Sequence, residues 1–259
     1  MRRLLIAANW KMNLTGRTAA DLAVSVRAYV EAAKPSSEVL VAPPYPYLPA
    51  VREALAGSAV LLAGQDVSAH EPGAFTGEVS AEMLADSGCT HAIVGHSERR
   101  EFGGDSDETV RAKARRAADL GLGVILCVGE KEGERERGEQ KTIVKRQLAR
   151  ALAGWSPREA EEKLVVAYEP VWAIGTGKTA TPADAEDMHA FARKILRDRF
   201  GPETGERIRV LYGGSVKPAN AGDLLGQENI DGALVGGASL DGDSFTAIIS
   251  AGEKADRKD

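Results

Sequence analysis

The chain has 259 residues, room for one large domain or two small ones, and its 43% hydrophobic and 27% charged residues are an ordinary globular balance. A net charge of −5 argues against nucleic acid as the main partner, and two distant cysteines, Cys89 and Cys127, offer neither a disulfide framework nor a zinc pattern. No apolar run approaches the roughly 18 residues of a membrane span, and the short stretch after Arg2 and Arg3 meets Asn9 too early for a signal peptide, so a cytoplasmic protein is expected.

From the N-terminus, short apolar runs alternate with amphipathic segments. The run Leu4–Ala8 ends in Asn9-Trp10-Lys11, and a helical pattern covers Thr18–Ala33. Strands are expected at Val39–Ala42 and Val60–Ala63, followed by a long connection from Gln65 to Glu78. The run Ala92–Val94 ends in Gly95-His96-Ser97-Glu98 and precedes a helix over Glu108–Leu120. Val124–Val128 is followed by a helix over Lys141–Leu152, and Leu164–Tyr168 stops at Glu169, where Pro170 removes a ladder donor. Thr181 and Pro182 form an N-cap and first-turn pair for a helix over Pro182–Phe200. Ile208–Tyr212 ends in Gly213-Gly214-Ser215, Ala233–Val235 ends in Gly236-Gly237, and a charged tail of about 251–259 is expected to fray.

Alternating strands and helices call for parallel strands, and no Pro/Ser/Gly-rich linker divides the chain. Eight strand candidates in about 250 residues match an α/β fold of the (β/α)8 barrel kind, one domain over 1–259. A doubly wound sheet fits the periodicity too, but no Gly-x-Gly-x-x-Gly follows the first strand. A barrel gathers its strand ends on one rim. That rim would hold Asn9, Lys11, His96, Glu169 and glycine-rich turns at 213–215 and 236–237.

After Glu169 comes a connection carrying Trp172 and Ile174 between Pro170 and Gly175-Thr176-Gly177, too apolar for a solvated turn. A carboxylate beneath such a segment suggests a base under a lid over 170–178 that excludes water; the plain alternative is a helix-capping carboxylate beside an ordered loop. The glycine pairs let backbone N–H groups approach an anion, or else serve tight turns needing positive φ. Gly177-Lys178-Thr179 lacks the earlier glycine of a P-loop, since position 172 is Trp. The four histidines show no metal-like clustering, so neither metal nor cofactor is expected.

Blocks along nearly the whole chain resemble the triosephosphate isomerase family: Asn-Trp-Lys-Met-Asn at 9–13, Gly-Ala-Phe-Thr-Gly-Glu at 73–78 and Val-Gly-His-Ser-Glu-Arg-Arg at 94–100. Cys-Val-Gly-Glu at 127–130, the lid block at 167–181, Leu-Tyr-Gly-Gly-Ser-Val at 211–216 and Asp-Gly-Ala-Leu-Val-Gly-Gly-Ala-Ser-Leu at 231–240 follow in order. The resemblance implies interconversion of dihydroxyacetone phosphate and D-glyceraldehyde 3-phosphate. It implies Glu169 as base, His96 as electrophile and proton shuttle, and Lys11 with Asn9 stabilising an enediolate. Gly175, Ser215, Gly236 and Gly237 would bind phosphate. It also implies a homodimer through the 65–78 loop, Thr76 reaching the partner's site.

The residue types make chemical sense by themselves. Removing a proton from a carbon next to a carbonyl needs a positioned base and charge stabilisation at the oxygen. A carboxylate withdrawn from water gains basicity, and a helix beginning at Ser97 would disfavour an imidazolium at His96. Glu98 is expected to pair with Lys11 or a neighbour, Cys127 to pack beneath the rim, and His91, His189, Tyr212 and Trp172 to be structural. Two other functions remain open at this point: a Schiff-base aldolase using Lys11, and a sugar-phosphate-binding or scaffold protein on the same fold.

Overall fold

The computed structural model describes residues 2–175 and 179–255. Eight parallel strands close in chain order: β1 Leu5–Asn9, β2 Glu38–Ala42, β3 Leu61–Gly64, β4 His91–Val94, β5 Gly123–Val128, β6 Leu164–Tyr168, β7 Arg209–Tyr212 and β8 Gly232–Val235. β8 pairs back onto β1, so no edge remains. Each strand lies within a residue or two of its expected run.

Helices α1 Gly16–Ala33, α2 Leu48–Ala54, α3 Ala81–Asp86, α4 Ser97–Phe102, α5 Asp107–Asp119 and α6 Glu132–Glu136 surround the first half. α7 Gln140–Ala151, α8 Pro157–Lys163, α9 Pro182–Phe200, α10 Pro202–Arg207, α11 Pro218–Leu225 and α12 Gly242–Lys254 surround the second. The start of α9 is as its sequence foretells: the Thr181 side chain accepts from Asp184 N, and the Asp184 carboxylate accepts in return from Thr181 N.

Strand side chains alternate between two cores, because successive Cβ atoms point to opposite faces. Leu5, Ala7, Leu40, Ala42, Ala63, Ile93, Ile125, Cys127, Val165, Ala167, Leu211 and Leu234 fill the barrel interior. The intervening residues, such as Ile6, Val41, Val166 and Val235, pack outward against the helices. Counting two residues on from an interior position predicts what faces the mouth: Asn9 after Ala7, Gln65 after Ala63, Glu169 after Ala167, Gly213 after Leu211 and Gly236 after Leu234. Counting back gives the floor, where the His91 ring occupies space that a side chain at Gly123 would need, its Cβ falling 2.3 Å from that ring. Burial pushes the His91 pKa down to about 4, with the Arg209 guanidinium acting the same way.

One expectation is corrected at the C-terminus. Residues 251–254 belong to α12 instead of fraying, because Gly252 is buried and the Glu253 carboxylate accepts from Ser36 N, Ser36 Oγ and Ser37 N at 2.8–3.0 Å. Residues 256–259 lie outside the described residues. Among the described residues, no helix is long and apolar enough to cross a membrane, and no group of three or more His, Cys, Asp or Glu is placed to hold a metal ion.

Candidate active site

The strand ends meet around a cavity of about 620 Å³, whose lining includes Asn9, Lys11, His96, Glu169, Gly175, Ser215, Gly236 and Gly237. Every site residue singled out from the sequence therefore faces one space. The last part of the expected lid, residues 176–178, lies outside the described residues.

Glu169 is 2% exposed. Its N–H is held by Val128 O at 2.8 Å, so the β5–β6 pairing fixes its backbone. Gly213 stands beside it because a Cβ there would fall 2.8 Å from Glu169 Cγ. One carboxylate oxygen accepts from Ser97 N at 2.8 Å and the other lies 3.1 Å from His96 Nε2.

His96 reaches the cavity because Gly95 takes a φ of +74°, which turns the chain out of strand phase. It caps α4, and its Nδ1 accepts from Glu98 N at 3.2 Å. A ring nitrogen that accepts an N–H carries no proton, so the neutral ring's hydrogen sits on Nε2 and points at Glu169. The helix start expected after His96 is thus what sets its tautomer.

Lys11 has a φ of +52°, uncommon for a residue with a side chain. Two partners hold the bend: Lys11 N donates to Asn9 Oδ1 at 3.0 Å, and Gln65 Nε2 donates to Lys11 O at 2.9 Å. Its ammonium pairs with Glu98 Oε1 at 2.6 Å, the ion pair expected for Glu98. A Cβ at Gly236 would approach Lys11 Cε to 3.3 Å, so the glycine keeps the lysine's path open. Gly213, Gly214, Gly236 and Gly237 all have negative φ or extended backbone, which favours close approach over positive φ as the reason for glycine there.

Gly236 is followed by a helical turn over Gly237–Leu240, whose first N–H groups have no partner within the turn. Ser215 and Gly175 line the same cavity, and the free N–H groups at the start of this turn favour an anion there. Cys127 is fully buried beneath Glu169; burial, then the nearby carboxylate, pushes its thiol well above the usual range and leaves it inert.

Two supporting residues escaped the sequence reading. Gln65, besides Lys11 O, donates to Ala42 O at 2.8 Å; strand parity could have found it as the next inward position after Ala63. Glu130 is fully buried and accepts from Tyr168 Oη at 3.0 Å and from Trp172 Nε1 at 2.9 Å. Burial pushes its carboxyl up, against those hydrogen bonds. Trp172 is thereby an anchored part of the segment after Glu169 as well as a packing group. Glu130 sits in the outward strand phase, so parity gave no hint of it; its place in the 127–130 block was the available signal.

The family model for triosephosphate isomerase matches residues 4–252. The triosephosphate isomerase of Thermus thermophilus is 51% identical over 249 residues, 96% of this chain and 98% of that protein. Those of Carboxydothermus hydrogenoformans and Moorella thermoacetica are 49% and 50% identical, each over 96% of this chain. A closed eight-stranded barrel whose mouth gathers an asparagine, a lysine, a histidine and a buried glutamate, matched over almost its full length, places the chain in the triosephosphate isomerase family.

Proposed function

We propose that this protein, acting as one barrel domain, interconverts dihydroxyacetone phosphate and D-glyceraldehyde 3-phosphate in cytoplasmic glycolysis and gluconeogenesis. The observation that carries the reading is the pairing of a buried carboxylate with a neutral imidazole, Glu169 Oε1 to His96 Nε2 at 3.1 Å, beside the Lys11 ammonium in one cavity. Glu169 exchanges its contacts with Ser97 and His96 for the substrate, and takes a proton from the carbon next to the carbonyl. The electron pair moves onto the oxygen, where His96 Nε2–H and the Lys11 ammonium, with Asn9 alongside, stabilise the enediolate. His96 passes its proton between the two oxygens. Glu169 then returns its proton to the neighbouring carbon, so no atom is gained or lost.

Gly175, Ser215, Gly236 and Gly237 hold the phosphate, and the segment from Pro170 closes over it. No cofactor or metal enters these steps. The aldolase alternative needs Lys11 as a free amine, and an ammonium held by Glu98 at 2.6 Å is a poor nucleophile.

The active form we propose is a homodimer. The root of the 65–78 loop is fixed by Lys113, whose ammonium binds Asp66 at 2.7 Å and Asp105 at 2.8 Å. Its tip carries Phe75, 43% exposed and stacked on His70 at 4.0 Å, next to Thr76. A second cavity of about 270 Å³, lined by Lys11, the 95% exposed Met12, Gln65 and Glu98, is the socket for a partner's tip. A coupled assay with glyceraldehyde 3-phosphate tests the activity, and no turnover at millimolar substrate defeats it.

A further inference from the structure

β5 outruns its neighbour on one side. The β4–β5 ladder stops at Val94 paired with Leu126, whereas β5 stays paired with β6 as far as Val128 with Tyr168. Beyond the strand ends the pairing to β6 continues: Glu169 N donates to Val128 O at 2.8 Å and Val171 N donates to Glu130 O at 3.1 Å. Residues 128–130 thus carry the backbone of Glu169 and of Val171 at the start of the lid. The residue between them, Gly129, directs its own N–H and C=O to the side where β4 has ended.

Both groups are taken by one side chain from the outer helix layer. Gly129 N donates to Gln147 Oε1 at 2.8 Å, and Gln147 Nε2 donates to Gly129 O at 3.1 Å. Gln147, on α7, is 5% exposed. Its primary amide supplies the donor and acceptor that a strand would have supplied. The neighbouring carbonyl, Cys127 O, is met by Arg100 Nη2 at 3.4 Å. Gly129 has no slack, because a Cβ there would lie 1.7 Å from Glu169 O. A tilt of its peptide is therefore passed to the base.

We propose that Gln147 is a positioning residue for the isomerisation: from outside the barrel, it sets the Gly129 peptide and through it the placement of Glu169 and the lid hinge. This rests on the isomerase reading above. Gln147 touches no substrate, so its loss acts on the proton-transfer step while leaving the phosphate contacts of Ser215, Gly236 and Gly237 intact. A misplacement of about 1 Å in a reacting group can cost about 100-fold in rate.

The experiment compares wild type with Gln147→Met, which removes donor and acceptor, and Gln147→Glu, which keeps the acceptor for Gly129 N–H and loses the donor to Gly129 O. Each is assayed well below its melting temperature, with the folded fraction measured by circular dichroism. Expected for both is a fall of about tenfold or more in kcat per folded site, KM within about twofold, and a larger share of turnover lost as methylglyoxal. If kcat per folded site stays within about twofold in the folded variants while only melting temperature falls, Gln147 is structural and the proposal is wrong. Should Gln147→Met not fold, Gln147→Glu decides alone. An inactive wild type defeats the isomerase reading and this role with it, whereas active wild type beside unaffected variants defeats the positioning role alone.

Discussion

Glu169 Oε1 lies 3.1 Å from His96 Nε2, with Glu98 N–H occupying the far nitrogen of the same ring at 3.2 Å. Both side chains are held by backbone groups of one helix start: the Glu169 carboxylate accepts from Ser97 N and the His96 ring accepts from Glu98 N. Replacing Glu169 by Gln keeps the shape and removes the proton acceptor. General base catalysis is worth about 10²–10⁴-fold, and kcat in the coupled assay should drop by at least that range with an unchanged circular dichroism spectrum. Retention of more than about a tenth of wild-type kcat would remove Glu169 from the role of base.

The segment we propose as the lid is tied down through Glu130 at Trp172. Trp172→Phe deletes the Nε1 donor to that buried carboxylate while keeping an aromatic body. The lid should then close less faithfully over the enediolate, and water should promote phosphate loss to methylglyoxal. Product analysis by NMR should show a raised methylglyoxal fraction and a kcat lower by several-fold; a product mixture equal to wild type would separate the anchor from water exclusion.

Acid sensitivity should come partly from a histidine that does not line the cavity. His189 is fully buried, its Nδ1 lies 2.6 Å from Ala185 O, and burial pushes its pKa down to about 4. The unfolded chain holds the ordinary value near 6.5. Between the two, the unfolded state binds the extra proton, so stability is complete above about pH 6.5 and is lost as pH falls toward 4. One such proton is worth about 1.4 kcal/mol per pH unit inside that window, and His91 adds a second of the same sign. Urea midpoints at fixed protein concentration near pH 5 and pH 7 should show this loss, and His189→Gln should flatten it; an undiminished slope in the variant would place the proton uptake elsewhere.

At the opposite end of the barrel, Asp231 is fully buried, accepts from Arg2 Nε at 2.7 Å and from Val210 N at 2.9 Å, and pairs with the buried Arg193 guanidinium. Asp231→Asn leaves that guanidinium without its counter-charge, which costs about 3–5 kcal/mol for a broken buried pair. The denaturation midpoint should move accordingly while kcat of the folded enzyme stays near wild type. An equal loss of kcat would show that the floor and the mouth are coupled.

Assembly and activity should fall together when the loop tip is charged. In the proposed dimer, Thr76→Arg would place a cation in a socket that already holds Lys11. Sedimentation should show weaker association, with activity recovering at high protein concentration. A variant that sediments as a fully active monomer would refute completion of the site across subunits.

The strands were legible in the sequence as short apolar runs, and local alternation relates the side chains along each of them. Two-residue alternation from Ala167 to Glu169, or from Leu234 to Gly236, needs no knowledge of a partner strand. The cap at Thr181 and the helix start after His96 were legible for the same reason: their donors and acceptors lie within a few residues. Tertiary structure decided what one strand's end owes to another element. Glu130 meets Trp172 and Tyr168 across about 40 residues, Gln65 secures the bend at Lys11 from another strand, and Gln147 reaches Gly129 from a helix. The ordering of 251–254 likewise depends on Ser36 and Ser37, more than 200 residues away in sequence. Local pattern determines which face a side chain takes; the unpaired N–H and C=O groups left where neighbouring strands stop at different heights are matched by partners that only closure of the barrel brings within reach.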